Sequence, residues 1–478
     1  MLDGIIIGIF FLIMIAIGIY AFRKKESSGS NGYFVAGRKA SIPMVTGSLA
    51  ATFIGSSVII GMVGSGYAMG LPGVWWLLVG AIGLVILGLF LARRVRRVGV
   101  YTLPELLEVQ YGSNAKLLAS LVIGVSWIAI CAAQILAAGS VLHALVPSWD
   151  VRELMAICAA VFVIYTVLGG QYSIIRTDFL QLIILVIGLA VTLGLIMSDV
   201  GGIAGLKDSL SQDFFSFPVN EHFGWYNLVV YLVLTGSVYV VGPDMYSRLF
   251  CARDEKVART SAFSAALVAV PMAFIVVLIG MGAKAMEAQG LLPGISSADK
   301  VFPVLIQQLL PVGVSGLVVA ALLAALMSSA DTVILTTSTI LCVDVGGRVF
   351  PHIDERRRLL ATKIGVAVIG ILALLIAMQM KGIINTLLYS YTIFTSGIVI
   401  PVVAGFYKDK LKVNSYGALA AIAGGGGTAL GIKLAGVQNL ELLGFGVCAI
   451  LLFSVSWLTG GMKNRKWKSH GSDIPVSK

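Results

Sequence analysis

Read for hydropathy, the chain alternates between apolar runs of about 20 residues and short loops that carry the charges. At 1.5 Å per residue, a helix of that length crosses the roughly 30 Å hydrocarbon core of a bilayer. Thirteen spans are expected. They cover residues 4–22, 46–67, 74–91, 116–145, 153–168, 173–197, 225–246, 262–286, a long span after Pro311-Val312-Gly313 that ends near residue 344, 361–377, 383–406, 415–434 and 442–458.

Two spans carry helix-breaking residues. The second is interrupted at its middle by Gly55, Ser56 and Ser57. Hydrocarbon offers no water to free backbone groups, so unwound peptide at membrane depth must be buried or line a cavity. Such broken helices mark substrate and ion sites in secondary transporters; the competing reading is a cluster of small residues that lets another helix pack closely. The span over residues 225–246 has Thr235, Gly236 and Ser237 at mid-depth and Gly242-Pro243 near its inner end, which predicts a second distortion. If the first broken span opens a five-helix unit that closes at Met197, the next five helices start from the opposite side, because five is odd. The expected architecture is therefore an all-α membrane protein built on an inverted five-helix repeat. Residues 1–40 form an extra N-terminal helix and internal loop, 41–200 the first repeat, 201–223 an external loop, 224–407 the second repeat, and 408–478 two C-terminal helices and a tail.

Composition agrees with a polytopic chain: 58% of the 478 residues are hydrophobic and 12% charged, with mean hydropathy +0.96. That excludes a soluble globular protein, and the long apolar runs exclude a transmembrane β-barrel. The net charge of +11 does not point to nucleic acid, because Lys and Arg sit in alternate loops, at residues 23–25, 93–97, 248–259, 348–358, 408–412 and 463–468. Those loops fall on one side, which is then cytoplasmic, with the N-terminus outside and the C-terminus inside a plasma membrane. No spacing of His or Cys suits a metal site, no glycine-rich phosphate loop with its Lys is present, and no nucleophile and base pair is seen, so no enzyme is expected. Gly424 to Gly427, four glycines within one span, read as close helix packing. An oligomer is not required.

Polar residues inside the spans carry the candidate chemistry. In AALMSSADTVILTTST, residues Ser328, Asp331, Thr332 and Leu335 share one helical face by i, i+3, i+4, i+7 spacing. Isolated hydroxyls commonly bond back to their own helix, but this stripe contains an aspartate. An intramembrane carboxylate costs about 2.5–3.5 kcal/mol on insertion scales, so Asp178 and Asp331 need a cation, a proton or donors. For Asp178, pairing with Arg176 or another internal Arg is the structural alternative. Hydroxyls and carbonyls are neutral oxygen ligands that suit a releasable Na⁺ better than Ca²⁺ or Mg²⁺.

Taken together, several stretches resemble the sodium:solute symporters. GSLAATFIGSSVIIGMVGSGY in the broken span, GGQYSIIRTDFLQ at the entry of the span over residues 173–197, GPDMYSRLFCARDEKVAR at the exit of the span over residues 225–246 and AALMSSADT in the long span after Gly313 look like that family's signatures in its order, as does YFVAGR before the broken span. The resemblance implies a leucine-transporter-type fold, one extra helix preceding the repeats and two following. It implies a sodium site made by backbone carbonyls of Ala51, Ile54 and Ala325 and hydroxyls of Ser328 and Ser329, with Asp178 near a second sodium site or exit route; Asp331, as a carboxylate within a span, is expected on the same second ion or exit route. The solute is left open. Where proline carriers of the family have an aspartate this chain has Phe53, and Thr235 stands where they have a tryptophan; galactose carriers have an acidic and amide pair where this chain has Ser57 and Val58. Ser56, Ser57, Gln134, Thr235 and Tyr239 are the expected lining, and an amino acid or small organic anion the expected class. The expectation is Na⁺-coupled import by alternating access, with the bilayer, Na⁺ and the solute as partners. The alternatives are proton coupling through Asp178 or Asp331, and a transporter-like sensor, disfavoured because the chain ends about twenty residues after its last span with no output domain.

Overall fold

Deprived of water, the backbone of each apolar run satisfies its own hydrogen bonds, and helix is the local solution. The computed structural model describes residues 2–23, 29–380, 382–437 and 440–460, and every regular element among them is a helix. In chain order these are α1 (Leu2–Arg23), α2 (Ser30–Val35), α3 (Ile42–Phe53), α4 (Ser56–Met69), α5 (Leu71–Val98), α6 (Leu103–Tyr111), α7 (Ser113–Leu145), α8 (Val151–Val200), α9 (residues 225–241), α10 (Pro243–Cys251), α11 (Glu255–Ala288), α12 (Val301–Gln308), α13 (Val314–Val349), α14 (Glu355–Ala377), α15 (residues 383–405), α16 (Ser415–Leu434) and α17 (Leu443–Thr459). Helices that start from polar loops are capped by side chains: Thr102, Asp150, Asp254, Asp354 and Asn414 each accept from a first-turn amide.

Nine of the described helices are long and apolar enough to cross a bilayer, or ten when α3 and α4 count as one bent span. The expected number exceeds this for identifiable reasons. Helix α8 runs for 50 residues, roughly 75 Å at the α-helical rise and more than twice the hydrocarbon thickness, but Gly170 inside it is non-helical (φ 54, ψ −164). Only a residue without Cβ takes that conformation readily, and the Gly169-Gly170 pair lies where the sequence placed a turn between two spans. At the ends of the chain, the apolar parts Leu2–Met14 and Leu443–Thr459 are shorter. The expected external loop contains a helix of its own, Gly202–Ser209.

The bundle is organised around α13. In its most apolar window 94% of residues are buried, against 28% for α14, so α13 runs through the centre while α14 faces outward. Ala320, Ala321, Ala324, Ala325 and Ala330 keep it slim enough for other helices to pack closely on it. The glycine run in α16 packs as expected: Cβ atoms on Gly424 and Gly425 would run into Leu451 and the Ser396 carbonyl, although Gly427 faces open space.

Candidate functional site

Helix α3 stops at Phe53. Ile54 still bonds back to the Ala50 carbonyl at 2.8 Å, but Gly55 is extended (φ −49, ψ 149) before α4 begins, and the two arms meet at 51°. An extended residue takes the next amides out of register with the last carbonyls of α3, so those oxygens lose their helical donors. The break lies against α13. Ser329 Oγ donates to the Thr52 carbonyl at 3.2 Å, and a Cβ on Gly55 would collide with Ser329 Oγ. Ser328 Oγ and Asp178 Oδ1 are buried and have no hydrogen-bond partner. Ala325 lies one turn before the two serines on the same helix. Buried polar atoms are normally satisfied. Unwound carbonyls of α3, the hydroxyls of Ser328 and Ser329 and the unpartnered Asp178 Oδ1 form a donor set that fits a small hard cation.

The second break is at Gly242, also extended (φ −53, ψ 135), between α9 and α10. Helix α10 carries Arg248, which is wholly buried. Its guanidinium donates to Ser48 Oγ at 3.1 Å, to the Asp244 carbonyl at 3.2 Å, to Thr52 Oγ1 and to Thr332 Oγ1 at 2.5 Å, and stands 3.5 Å from Asp178 Oδ2. Ser48 in turn donates to Asp178. Sequence reasoning placed Arg248 at the start of a basic loop; instead it is the partner of Asp178. Arg176, considered for that role, donates to its own helix at Tyr172 O, 2.9 Å away, and stacks on the Tyr172 ring. The available signal was the spacing of Asp244 and Arg248, one turn apart behind a Gly-Pro break.

Asp331 points elsewhere than the serines. It is buried, and its Oδ1 accepts from Thr166 Oγ1 at 3.0 Å, on α8. Of the expected solute lining, Tyr239 packs edge-on against Phe53 beside the first break, ring centroids 4.5 Å apart, and Thr235 lies one turn away on α9 with its hydroxyl buried and unpaired. Gln134 is buried in α7 with Oε1 unpaired and is not hydrogen-bonded to Thr235 or Tyr239. The side chains of Ser56 and Ser57 lie outside the described residues.

The two ends of the bundle differ. Away from the arginine-rich loops a cavity of about 380 Å³ opens between Met69 and helices α9, α15 and α16. Its floor is aromatic: Tyr231 stands edge-on to Trp76 at 5.3 Å, and Trp76 lies 6.2 Å from Tyr391. At the other end a cavity of about 20 Å³ remains beneath Phe34, Tyr101 and Pro243. That end is held by the backbone bonds Ala40 N to Cys251 O at 3.0 Å and Arg253 N to Ala40 O at 3.1 Å, by Tyr101 Oη donating to Asn31 at 2.8 Å, and by Arg96 donating to the Ala252 carbonyl at 2.5 Å.

A bundle of apolar helices with two breaks near its centre, one against a hydroxyl pair, defines a membrane transporter rather than an enzyme. The fold matches that of a Na⁺-coupled sialic acid symporter in a substrate-bound outward-open state, with TM-score 0.82 over 96% of this chain and 98% of that one at 19% identity. It also matches a nucleobase-cation-symport-1 family transporter, with TM-score 0.64 over 92% and 96% at 15% identity. Residues 33–425 match the sodium:solute symporter family, and the chain belongs to that family. It is 28% identical to a sodium/glucose cotransporter of Vibrio parahaemolyticus, over 88% of this chain and 83% of that one. With sodium/glucose cotransporter 4 of Danio rerio it shares 25% identity, over 78% of this chain and 62% of the fish protein, so the matched part spans about three fifths of that longer relative. The coupled ion is Na⁺, and the protein is a multi-pass membrane transporter.

Proposed function

We propose that this chain imports a small organic solute together with Na⁺ by alternating access, with Na⁺ held between the first helix break and α13. The observation that carries the reading is the seating of Ser328 and Ser329 against the extended peptide at Gly55. The ligands are the carbonyls of Ala51, Ile54 and Ala325 and the hydroxyls of Ser328 and Ser329; Ser329, which here donates to Thr52, turns to the ion when it binds. Asp178, neutralised by Arg248, and Asp331 line the second ion position or exit route. Thr235, Tyr239, Gln134, Ser56 and Ser57 contact the solute below the aromatic floor.

The membrane arrangement that accompanies this reading has thirteen spans, with α8 crossing twice about Gly170 and α1 and α17 each crossing once. Residues 41–200 and 224–407 are inverted repeats, each opened by a broken helix, and the similar backbone at Gly55 and Gly242 supports the correspondence. The arginine-rich end is cytoplasmic by charge, in a plasma membrane. The open cavity and the bonded opposite end then describe an outward-facing carrier closed on the inside. With about 2.3 kcal/mol per charge per 100 mV and about 1.4 kcal/mol per tenfold gradient, one Na⁺ sustains several-hundred-fold accumulation.

The test needs no knowledge of the solute. A ligand that binds only the folded form at one hundred times its Kd adds about 2.7 kcal/mol of stability. Purified protein titrated with NaCl against choline chloride is therefore expected to melt higher in Na⁺, and Ser328→Ala with Ser329→Ala to remove the difference. An unchanged Na⁺ response in the double variant would refute the site.

A further inference from the structure

The outer cavity contains a charged side chain that neither the sodium site nor the solute lining uses. Lys433, in the last turn of α16, lines it with 16% of its side chain exposed. Its Nζ lies 4.3 Å from the centre of the Tyr389 ring and 3.9 Å from Glu441 Oε1, a carboxylate beyond hydrogen-bond reach. An ammonium has three donors and no acceptor; here they face a ring, a distant carboxylate and the cavity. Glu441 is anchored elsewhere, since its Oε2 accepts from Tyr226 Oη at 2.7 Å.

Among the described residues, the centre of the molecule offers an anionic solute no such uncommitted cation. Gln134, Thr235 and Tyr239 are neutral, and the guanidinium of Arg248 is committed to Ser48, Thr52, Thr332, Asp244 and Asp178. Charge is therefore read before the solute passes the floor of Tyr231 and Trp76. At about 380 Å³ the cavity has the size of a small-molecule site, and a half-buried ammonium attracts an anion more strongly than one in bulk water.

We propose that this cavity is an outer recognition site for a small carboxylate solute, bound through Lys433 between the rings of Tyr389 and Tyr226, with Glu441 as a built-in competitor that holds the ammonium loosely until the solute arrives. The inference rests on the transport reading and adds the substrate class to it.

The experiment titrates full-length protein in NaCl with acetate, pyruvate and L-proline, and with D-glucose as the uncharged comparison, following the fluorescence of the tryptophans and the melting temperature. At least one carboxylate is expected to bind the wild type. Lys433→Gln is expected to weaken that binding by about tenfold or more, and Lys433→Arg to retain most of it. Glu441→Gln, which still accepts from Tyr226 but no longer competes for the ammonium, is expected to tighten it several-fold. A purely structural role for the pair would not produce that gain. Binding of none of the three carboxylates, binding of D-glucose alone, or equal carboxylate affinity in Lys433→Gln and wild type overturns the proposal. The Na⁺ titration on the same samples reports separately on Ser328 and Ser329, so failure of the sodium site and failure of the outer site are distinguishable.

Discussion

The breaks at Gly55 and Gly242 use the same backbone device and solve opposite electrostatic problems. Both glycines are extended, with φ near −50 (−49 and −53) and ψ of 149 and 135. The ligands offered at the first are the carbonyls of α3 and the hydroxyls of Ser329 and Ser328, the latter unpaired, with Asp178 Oδ1 unpartnered nearby and the Arg248 guanidinium reaching Thr52 on the same helix. From the second hangs Arg248, a permanent cation tied to Asp178. A cation that must leave on every cycle requires ligands that do not hold it too tightly. A cation that never leaves can be matched to a carboxylate. In the proposed mechanism the first break takes a mobile charge, whereas the second is closed by a covalently attached one.

The largest effect is expected at the second break. Arg248→Met leaves Asp178 buried without its partner, at a cost of about 3–5 kcal/mol, whereas adding Asp178→Asn removes both charges and recovers most of it. Melting curves of the two variants test this, and a single variant as stable as wild type would show that the ion pair is not what closes the break. Next is Gly242→Ala, where a Cβ would meet the Val238 carbonyl and, at 2.7 Å, Asp244 Oδ1. Overpacking against backbone costs about 1–3 kcal/mol, and Na⁺ affinity should stay at its wild-type value.

Gly55→Ala separates the breaks further. Its φ and ψ suit alanine, so the effect is local: the new methyl displaces Ser329, and Na⁺ affinity is expected to fall about tenfold, or 1.4 kcal/mol, while the melting temperature without Na⁺ changes less than in Gly242→Ala. Equal Na⁺ affinity in Gly55→Ala and wild type would mean that the first break is not where the ion sits. The smallest effect belongs to Arg97→Gln, which removes an exposed ion pair with Glu255 at 2.9 Å. Surface pairs of this kind contribute little, and no shift in melting or Na⁺ binding is expected.

Much of this was readable in one dimension because bilayers impose simple rules. Apolar runs had to be helices, basic loops had to gather at one end, and Gly55, Gly170 and Gly242 each mark a place where the backbone leaves helical geometry. The aspartates at 178 and 331 stood out because carboxylates in spans are costly. Arg248 did not stand out, since a charge in the last turn of a helix normally reaches for water. Lys433 was missed for a related reason: at the end of a span it reads as an interfacial anchor, and its position between Tyr389 and Glu441 depends on residues far away in the chain.

Local physics therefore determined where helices form, where they stop and which polar groups lie at membrane depth, since those follow from hydropathy, backbone sterics and the absence of water. Which polar groups meet was decided by packing alone. Ser329 reaching Thr52, Arg248 reaching Asp178 and Asp331 turning to Thr166 join residues 70 to 277 positions apart, and no local pattern encodes how the central helix is rotated against its neighbours. Only the assembled bundle, in which buried donors must find acceptors, selects those partners.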